Sequence, residues 1–152
     1  MIIRPLDPGA AFFVASNMRA SDAEEIAATR VADDRAQLAA DAAGCAPFAW
    51  CAGVGEPVAC IGASFLWPGV WQAWMFATDA FATVGFPLTR WVRRVMIPGM
   101  KRAGAHRVHC YSIESHPEAH RWLEGLGAVH ETTLPGYGKR REAFRVYAWH
   151  AD

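Results

Sequence analysis

The chain has 152 residues, of which 53% are hydrophobic and 20% charged, and its 15 Lys+Arg balance 15 Asp+Glu. This length predicts a single domain, residues 1–152, able to bury one real core. The apolar share excludes a disordered chain, and the zero formal charge excludes any global attraction to nucleic acid or anionic lipid.

Four cysteines, Cys45, Cys51, Cys60 and Cys110, form no Cys-x-x-Cys pair. They read as small buried thiols in a reducing compartment rather than as a zinc or redox motif. The opening Met1-Ile2-Ile3-Arg4-Pro5 has no signal-peptide apolar region, so the expectation is a protein that is not secreted. No charge occurs between Glu56 and Asp79, but Pro68-Gly69 divides the stretch into two halves of strand length. Two strands joined by a turn explain it better than a membrane span.

In chain order, Met1–Pro5 is a short strand. Asp7-Pro8 opens a helix, with Asp as cap and Pro in the first turn. Ser21-Asp22-Ala23-Glu24 reads as a capping box for a second helix through Ala28. Asp33–Ala43 is a third helix, stopped by Gly44. Phe48–Ala52 and Pro57–Trp67 are strands around a Gly53–Glu56 turn. The second is rich in small residues, so something large must pack on it. Val70–Thr78 runs back as a third strand. A helix from Pro87 to Lys101 is ended or kinked by Pro98-Gly99. His106–Ile113 is a strand, and Ser115-His116-Pro117-Glu118 reads as a second capping box. Ala119–Leu126 is a helix stopped by Gly127. Ala128–Leu134 and Glu142–Trp149 are strands joined by a loop with Gly136-Tyr137-Gly138 and Lys139-Arg140-Arg141. The sum is an α+β layout with a mixed, mostly antiparallel sheet flanked by helices.

The aromatic content, seven Trp and eight Phe, exceeds what a small core requires, which points to interface anchors on a protein that docks on something. Trp71 and Trp74 differ in strand parity and must face opposite sides of the sheet.

This order of elements resembles the GNAT (GCN5-related N-acetyltransferase) fold. Family members commonly carry Asn-x-x-Ala-x-x-x-Tyr-x-x-x-Gly-Phe across a strand, a helix and the next strand. The same frame here reads His116, Ala119, Leu123, Gly127, Ala128. The Ala and Gly agree; the three chemically informative positions differ. The family's pyrophosphate loop, Gln/Arg-x-x-Gly-x-Gly/Ala, falls on Thr78–Pro87, where only Gly85 is left and Asp79 adds a negative charge. Phe76-Ala77-Thr78-Asp79, the Arg-rich helix, Ser115–Leu123 and Gly136-Tyr137-Gly138 are similar to a divergent GNAT-like group encoded by tailed phages. That group includes proteins similar to the internal virion protein A of short-tailed phages.

The resemblance implies acetyl-CoA in a cleft between the 70–78 and 106–113 strands. Main-chain groups of Met75, Phe76 and Ala77 would orient the pantetheine, Gly85 and Arg90 would approach phosphates, and Phe81 and Phe86 are the side chains that could plug the cleft. Leu123 stands where the family's proton-donating Tyr belongs, so an acid must come from elsewhere: Tyr111, His116, His120 or Tyr137. His116 and His120 lie one turn apart; the bland alternatives are a capping or solvated His116 and a His120 packed on the sheet. Their spacing also suits a helical metal pair, but Pro117 occupies the Glu of His-Glu-x-x-His, and no metal is expected. Asp79 reads as a base for a substrate amine or as a turn cap. Arg90, Arg93, Arg94 and Lys101 read as a solvated basic helix face, or as a grip on acyl-CoA phosphates, an acidic partner or the phosphates of a nucleic acid, the last being the least expected partner.

Two functions follow. One is an acyl-CoA-dependent N-acyltransferase. The other is a non-catalytic GNAT-like module of a phage particle or phage–host complex, with a virion or host protein as partner, or a second copy of itself. The corresponding locations are the host cytoplasm or the virion.

Overall fold

The computed structural model describes residues 1–151. Seven strands form one sheet in the order β1-β2-β3-β4-β5-β7-β6. In chain order the elements are β1 (Ile2–Pro5), α1 (Pro8–Ser16), α2 (Ala20–Ala28), α3 (Arg35–Ala43), β2 (Ala49–Val54), β3 (Glu56–Trp67) and β4 (Val70–Ala77). A 3-10 turn (Asp79–Thr83) leads into α4 (Gly85–Trp91), a π turn (Val92–Met96) and α5 (Ile97–Arg102). Then come β5 (Arg107–Ile113), α6 (Pro117–Gly125), β6 (Val129–Leu134) and β7 (Phe144–His150). The uncharged stretch 57–78 is the β3–β4 hairpin, and among the described residues no helix is long and apolar enough to cross a membrane.

Local chemistry accounts for most boundaries. Asp7 caps α1 by accepting from the Ala10 N–H at 2.9 Å, and Asp34 caps α3 by accepting from Gln37 N–H at 2.9 Å. Gly127, at φ 92°, ends the α6 segment in the left-handed region, where Ala128 N–H reaches back to the Leu123 carbonyl. Neither expected capping box forms. Helix α2 begins one residue before Ser21, with an extended Arg19 as its cap, and Asp22 turns into the protein instead. At α6, His116 is the cap residue and gives no side-chain bond. Pro98 does not end its helix. The π turn shifts the hydrogen-bond register so that Ile97 N–H bonds to Val92 O, and the rod continues past a proline that has no N–H to give.

The sheet carries a core on each side. On one face Trp71, Ala77 and Ile61 pack with Leu88, Val92, Met96 and Leu126 from the α4–α6 layer. On the other, Cys60 and Phe76, with Trp74 at its margin, pack with α1 and α3. The opposite parity of Trp71 and Trp74 is thereby realised. The small residues of β3 also have their large partner: a Cβ on Gly62 would overlap the Trp74 indole and the Phe48 carbonyl oxygen. Two cores absorb most of the aromatic surplus. Trp67 is the one clearly exposed tryptophan, beside an exposed Phe65 near the β3–β4 turn, with Phe12 and Phe86 exposed elsewhere.

Among the described residues, strands β4 and β5 are the only parallel neighbours. Their pairing covers just Val70↔Arg107, Trp71↔Val108 and Gln72↔His109, after which they part. The result is a sheet forked at its centre. Gly62→Ala is expected to lower the unfolding free energy by about 1–3 kcal/mol, because the added methyl meets both the Trp74 indole and the Phe48 backbone carbonyl; urea denaturation of the variant measures this.

Candidate functional site: the fork between the two parallel strands

Where β4 and β5 diverge, a cleft of about 750 Å³ passes through the sheet. One mouth lies among α2 and α3, lined by Glu25, Ile26, Asp41, Tyr111 and Tyr137; the other lies among Val92, Met96, Trp122 and Leu123.

Helix α2 spans the first mouth. Asp22 accepts from the Ala77 N–H of β4 at 2.8 Å and from Arg19 Nε at 2.8 Å, and the Arg19 N–H donates to the Ala77 carbonyl at 2.9 Å. Three residues on, Glu25 Oε1 accepts from the Ile113 N–H of β5 at 2.7 Å. Burial is the main cause that raises the Glu25 carboxyl to about 7, and the neighbouring Asp22 charge adds to it against the opposing Ile113 bond. The Ser112 hydroxyl is fully buried near this carboxyl but has no partner in hydrogen-bond geometry. The 135–143 loop fastens the far end of α2, Lys139 N–H donating to the Ala28 carbonyl at 2.8 Å. It also sets the Tyr137 ring parallel to Tyr111, with centroids 5.3 Å apart. Burial, followed by the charge and hydroxyl of Tyr111, raises the Tyr137 pKa. Cys110 also lines the cleft, but burial pushes its thiol up to about 12, so it stays neutral and is no nucleophile at pH 7.

Backbone alternation fixes what β4 presents to the fork. Ala77 directs both its N–H and C=O to the open edge, whereas Thr78 N–H turns to Val58 on β3. Met75, two residues earlier, therefore also faces the fork with its N–H and C=O, beyond the last residue paired with β5. Phe76 directs its backbone the other way.

The sequence-derived candidates are distributed unevenly. Met75, Phe76 and Tyr111 line the cleft. Ala77 is fully buried and its backbone is already committed to α2. Asp79 is an exposed first residue of the 3-10 turn, whose cap is Thr78, accepting from Ala80 N–H at 3.3 Å. His120 is buried; its Nε2 lies 3.0 Å from the Ile113 carbonyl and its ring stacks on Tyr147. Burial and the nearby Arg145 lower its pKa. His116 sits 3.6 Å from Glu24, outside the cleft. Gly85 starts α4 with room for a Cβ against Phe81, so no close approach demands a glycine there. Arg90 is exposed, its guanidinium 5.3 Å from the Phe86 ring centroid. Neither expected plug enters the cleft: Phe86 is 75% exposed, and Phe81 packs against the core beneath the Arg19 guanidinium. Among the described residues no group of three or more His, Cys, Asp or Glu gathers as a metal site.

Sequence reasoning missed Glu25. Its signal was available: Asp22 and Glu25 stand three apart, next to Ile26, so two acids share the inward side of α2 with an apolar residue.

No protein-family model matches the sequence, and no curated protein matches it at the sequence level. Similarity is found among solved structures. One is yncA of Salmonella typhimurium, a proposed acetyltransferase solved with its cofactor acetyl-CoA. It superposes with a TM-score of 0.77 at 14% identity, covering 100% of this chain and 94% of that one. Ard1 from Thermoplasma volcanium gives 0.75 at 16% identity, covering 99% and 97%. The ribosomal-protein-S18-alanine N-acetyltransferase of Escherichia coli gives 0.72 at 15%, covering 98% and 92%. The forked sheet with its flanking helices is the fold of the GNAT acetyltransferases.

Proposed function

We propose that the protein is an N-acyltransferase that moves an acyl group from acyl-CoA, with acetyl-CoA as the donor to test first, onto an amine. The observation that carries this reading is a carboxyl raised to about 7, held at the mouth of an open fork. The fork suits a pantetheine arm: β4 pairs with β5 only as far as Gln72, and strand alternation turns the Met75 N–H and C=O toward the gap. At the phosphate end the exposed Arg90 and Arg94 of the helical rod after β4 stand in for the missing loop glycines. When bound, the cofactor supplies a thioester, whose carbonyl carbon is open to an amine and whose sulfur departs as thiolate.

Glu25 takes the proton from the amine nitrogen. A carboxyl near 7 is half ionised at neutral pH, which combines an available base with useful proton affinity. Leu123 offers no O–H, so the hydroxyls of Tyr111 and Tyr137 are the phenolic donors in the cleft. Asp22 is a positioning residue: it holds α2 on β4 and thereby aims Glu25. Asp79, His116 and His120 lie outside the cleft and have no part in this scheme.

Glu25→Gln is expected to reduce kcat by about 100-fold or more in a thiol-release assay with acetyl-CoA, while calorimetry still detects the cofactor. The kcat/KM of the wild type should rise with pH through about 7. Stability gives an independent readout of the same group. The unfolded chain releases the Glu25 proton near its ordinary 4.5, while the native protein keeps it until about 7. Wild-type stability should therefore fall between those pH values by up to about 3 kcal/mol, and Glu25→Gln should flatten that slope. A pH-independent kcat/KM, or no acetyl-CoA binding at millimolar concentration, would remove the proposal.

A second reading is favoured by the exposed Phe65 and Trp67, 59% and 58% accessible, at one end of the β3–β4 hairpin. In it the protein is a non-catalytic module of a tailed-phage particle, docking through this tip on a virion or host protein or on another copy of itself. Purified particles should then contain the polypeptide, and Trp67→Ala should release it; its absence from particles and from pull-downs would defeat the idea.

A further inference from the structure

We propose that the acceptor is a single amine carried on an apolar or aromatic body, and not a polyamine; this rests on the acyl-transfer reading above. Charge accounting within the cleft is the first support. Its lining holds three carboxylates, Asp22, Glu25 and Asp41, against four full cations, Arg19, Arg30, Lys101 and Arg107. Asp22 is paired with Arg19 at 2.8 Å and Asp41 with Arg30 at 2.6 Å. Only Glu25 lacks a cationic partner, so one ammonium group finds a partner there and a second finds none. Arg107 is itself neutralised by Glu131 at 2.6 Å, so beyond Glu25 the lining offers no unpaired negative charge to hold a polycation.

The walls supply the second support. Between α2 and α3 the groove runs over Ile26, Leu38 and Trp74, and its side is the stacked Tyr111–Tyr137 pair, whose rings are within 8° of parallel. Flat aromatic faces beside an apolar floor favour a planar or aliphatic body, and they stabilise an adjoining ammonium through the ring quadrupole. Tyr137 stands 45% exposed on a loop, edge-on to Phe144 at 5.4 Å, so part of its ring is available to a ligand.

The experiment compares phenethylamine and spermidine as acceptors with acetyl-CoA, read by thiol release, and measures binding of each amine alone by tryptophan fluorescence, Trp74 being the reporter in the groove. Phenethylamine should show a kcat/KM at least tenfold above spermidine. Tyr137→Ala should weaken phenethylamine binding about tenfold, and Tyr137→Phe should bind it as the wild type does because the ring is kept. Equal or better use of spermidine overturns the acceptor proposal and leaves acyl transfer standing. Preferential binding of phenethylamine, sensitive to Tyr137→Ala, but with no turnover of either amine, supports the acceptor groove and overturns acyl transfer. Neither binding nor turnover overturns both.

Discussion

Two parallel strands that part in the middle of a sheet leave backbone donors and acceptors facing each other across a gap too wide to bond. An open edge of that kind either recruits another strand or costs the desolvation of its orphaned groups. Helix α2 resolves the problem at the mouth. It gives the Arg19 N–H to the Ala77 carbonyl, and it takes the Ala77 and Ile113 N–H groups on Asp22 and Glu25. Carboxylate acceptors suit the task, because a charged partner makes the stronger bond. The two strand ends are thus held at the separation set by three residues of helix, and the fork stays open between them.

The rest of the architecture serves that opening. A sheet forked at its centre cannot be stiffened through the fork, so each half needs its own packing on both faces. That is why β3 is built from small residues under the Trp74 indole, and why the aromatic residues divide between two cores. On the face opposite α2, the long helical rod after β4 is tied to α6 by Trp122 Nε1–H donating to Thr89 Oγ1 at 2.8 Å and by Arg93 donating to the Gly125 carbonyl. These links join the β1–β4 half to the β5–β7 half where the strands themselves do not.

What the sequence disclosed follows from how local each feature is. Asp7 before Pro8, Asp34 before Arg35 and Gly127 after α6 act on backbone within a few residues, and their spacing announces them. The strand halves around Pro68-Gly69 and the opposed parity of Trp71 and Trp74 are equally local. The Ser21 pattern misled because it competes with a tertiary demand: Asp22 is drawn to β4 and Glu24 to His116, so Ser21 has no box to close, while at α6 the cap falls one residue later, on His116. Pro98 was read as an end or a kink because the five-residue π turn just before it, Val92–Met96, carries no composition signal. The site residues divide the same way. Met75 and Phe76 were placed by position along a strand, whereas Glu25 acquires its chemistry from Ile113, 88 residues away.

That separation also bears on the proposed acyl transfer, which the fold would support without the Tyr and the loop glycines that the resemblance implies. A proton donor at the Leu123 position is only one of several ways to bring an O–H to the fork, since β5 and the 135–143 loop both reach it. A base is harder to relocate, because it must be buried enough to titrate near neutrality yet bonded well enough to stay in place. Glu25 meets both conditions because it is a structural tie: the same burial and the same Ile113 bond that close the end of β5 also set its proton affinity. Loss of the carboxyl would leave the Ile113 N–H unpaired and, in the proposed reaction, the amine without a base, so the architecture of the fork and the proposed reactivity meet in one side chain.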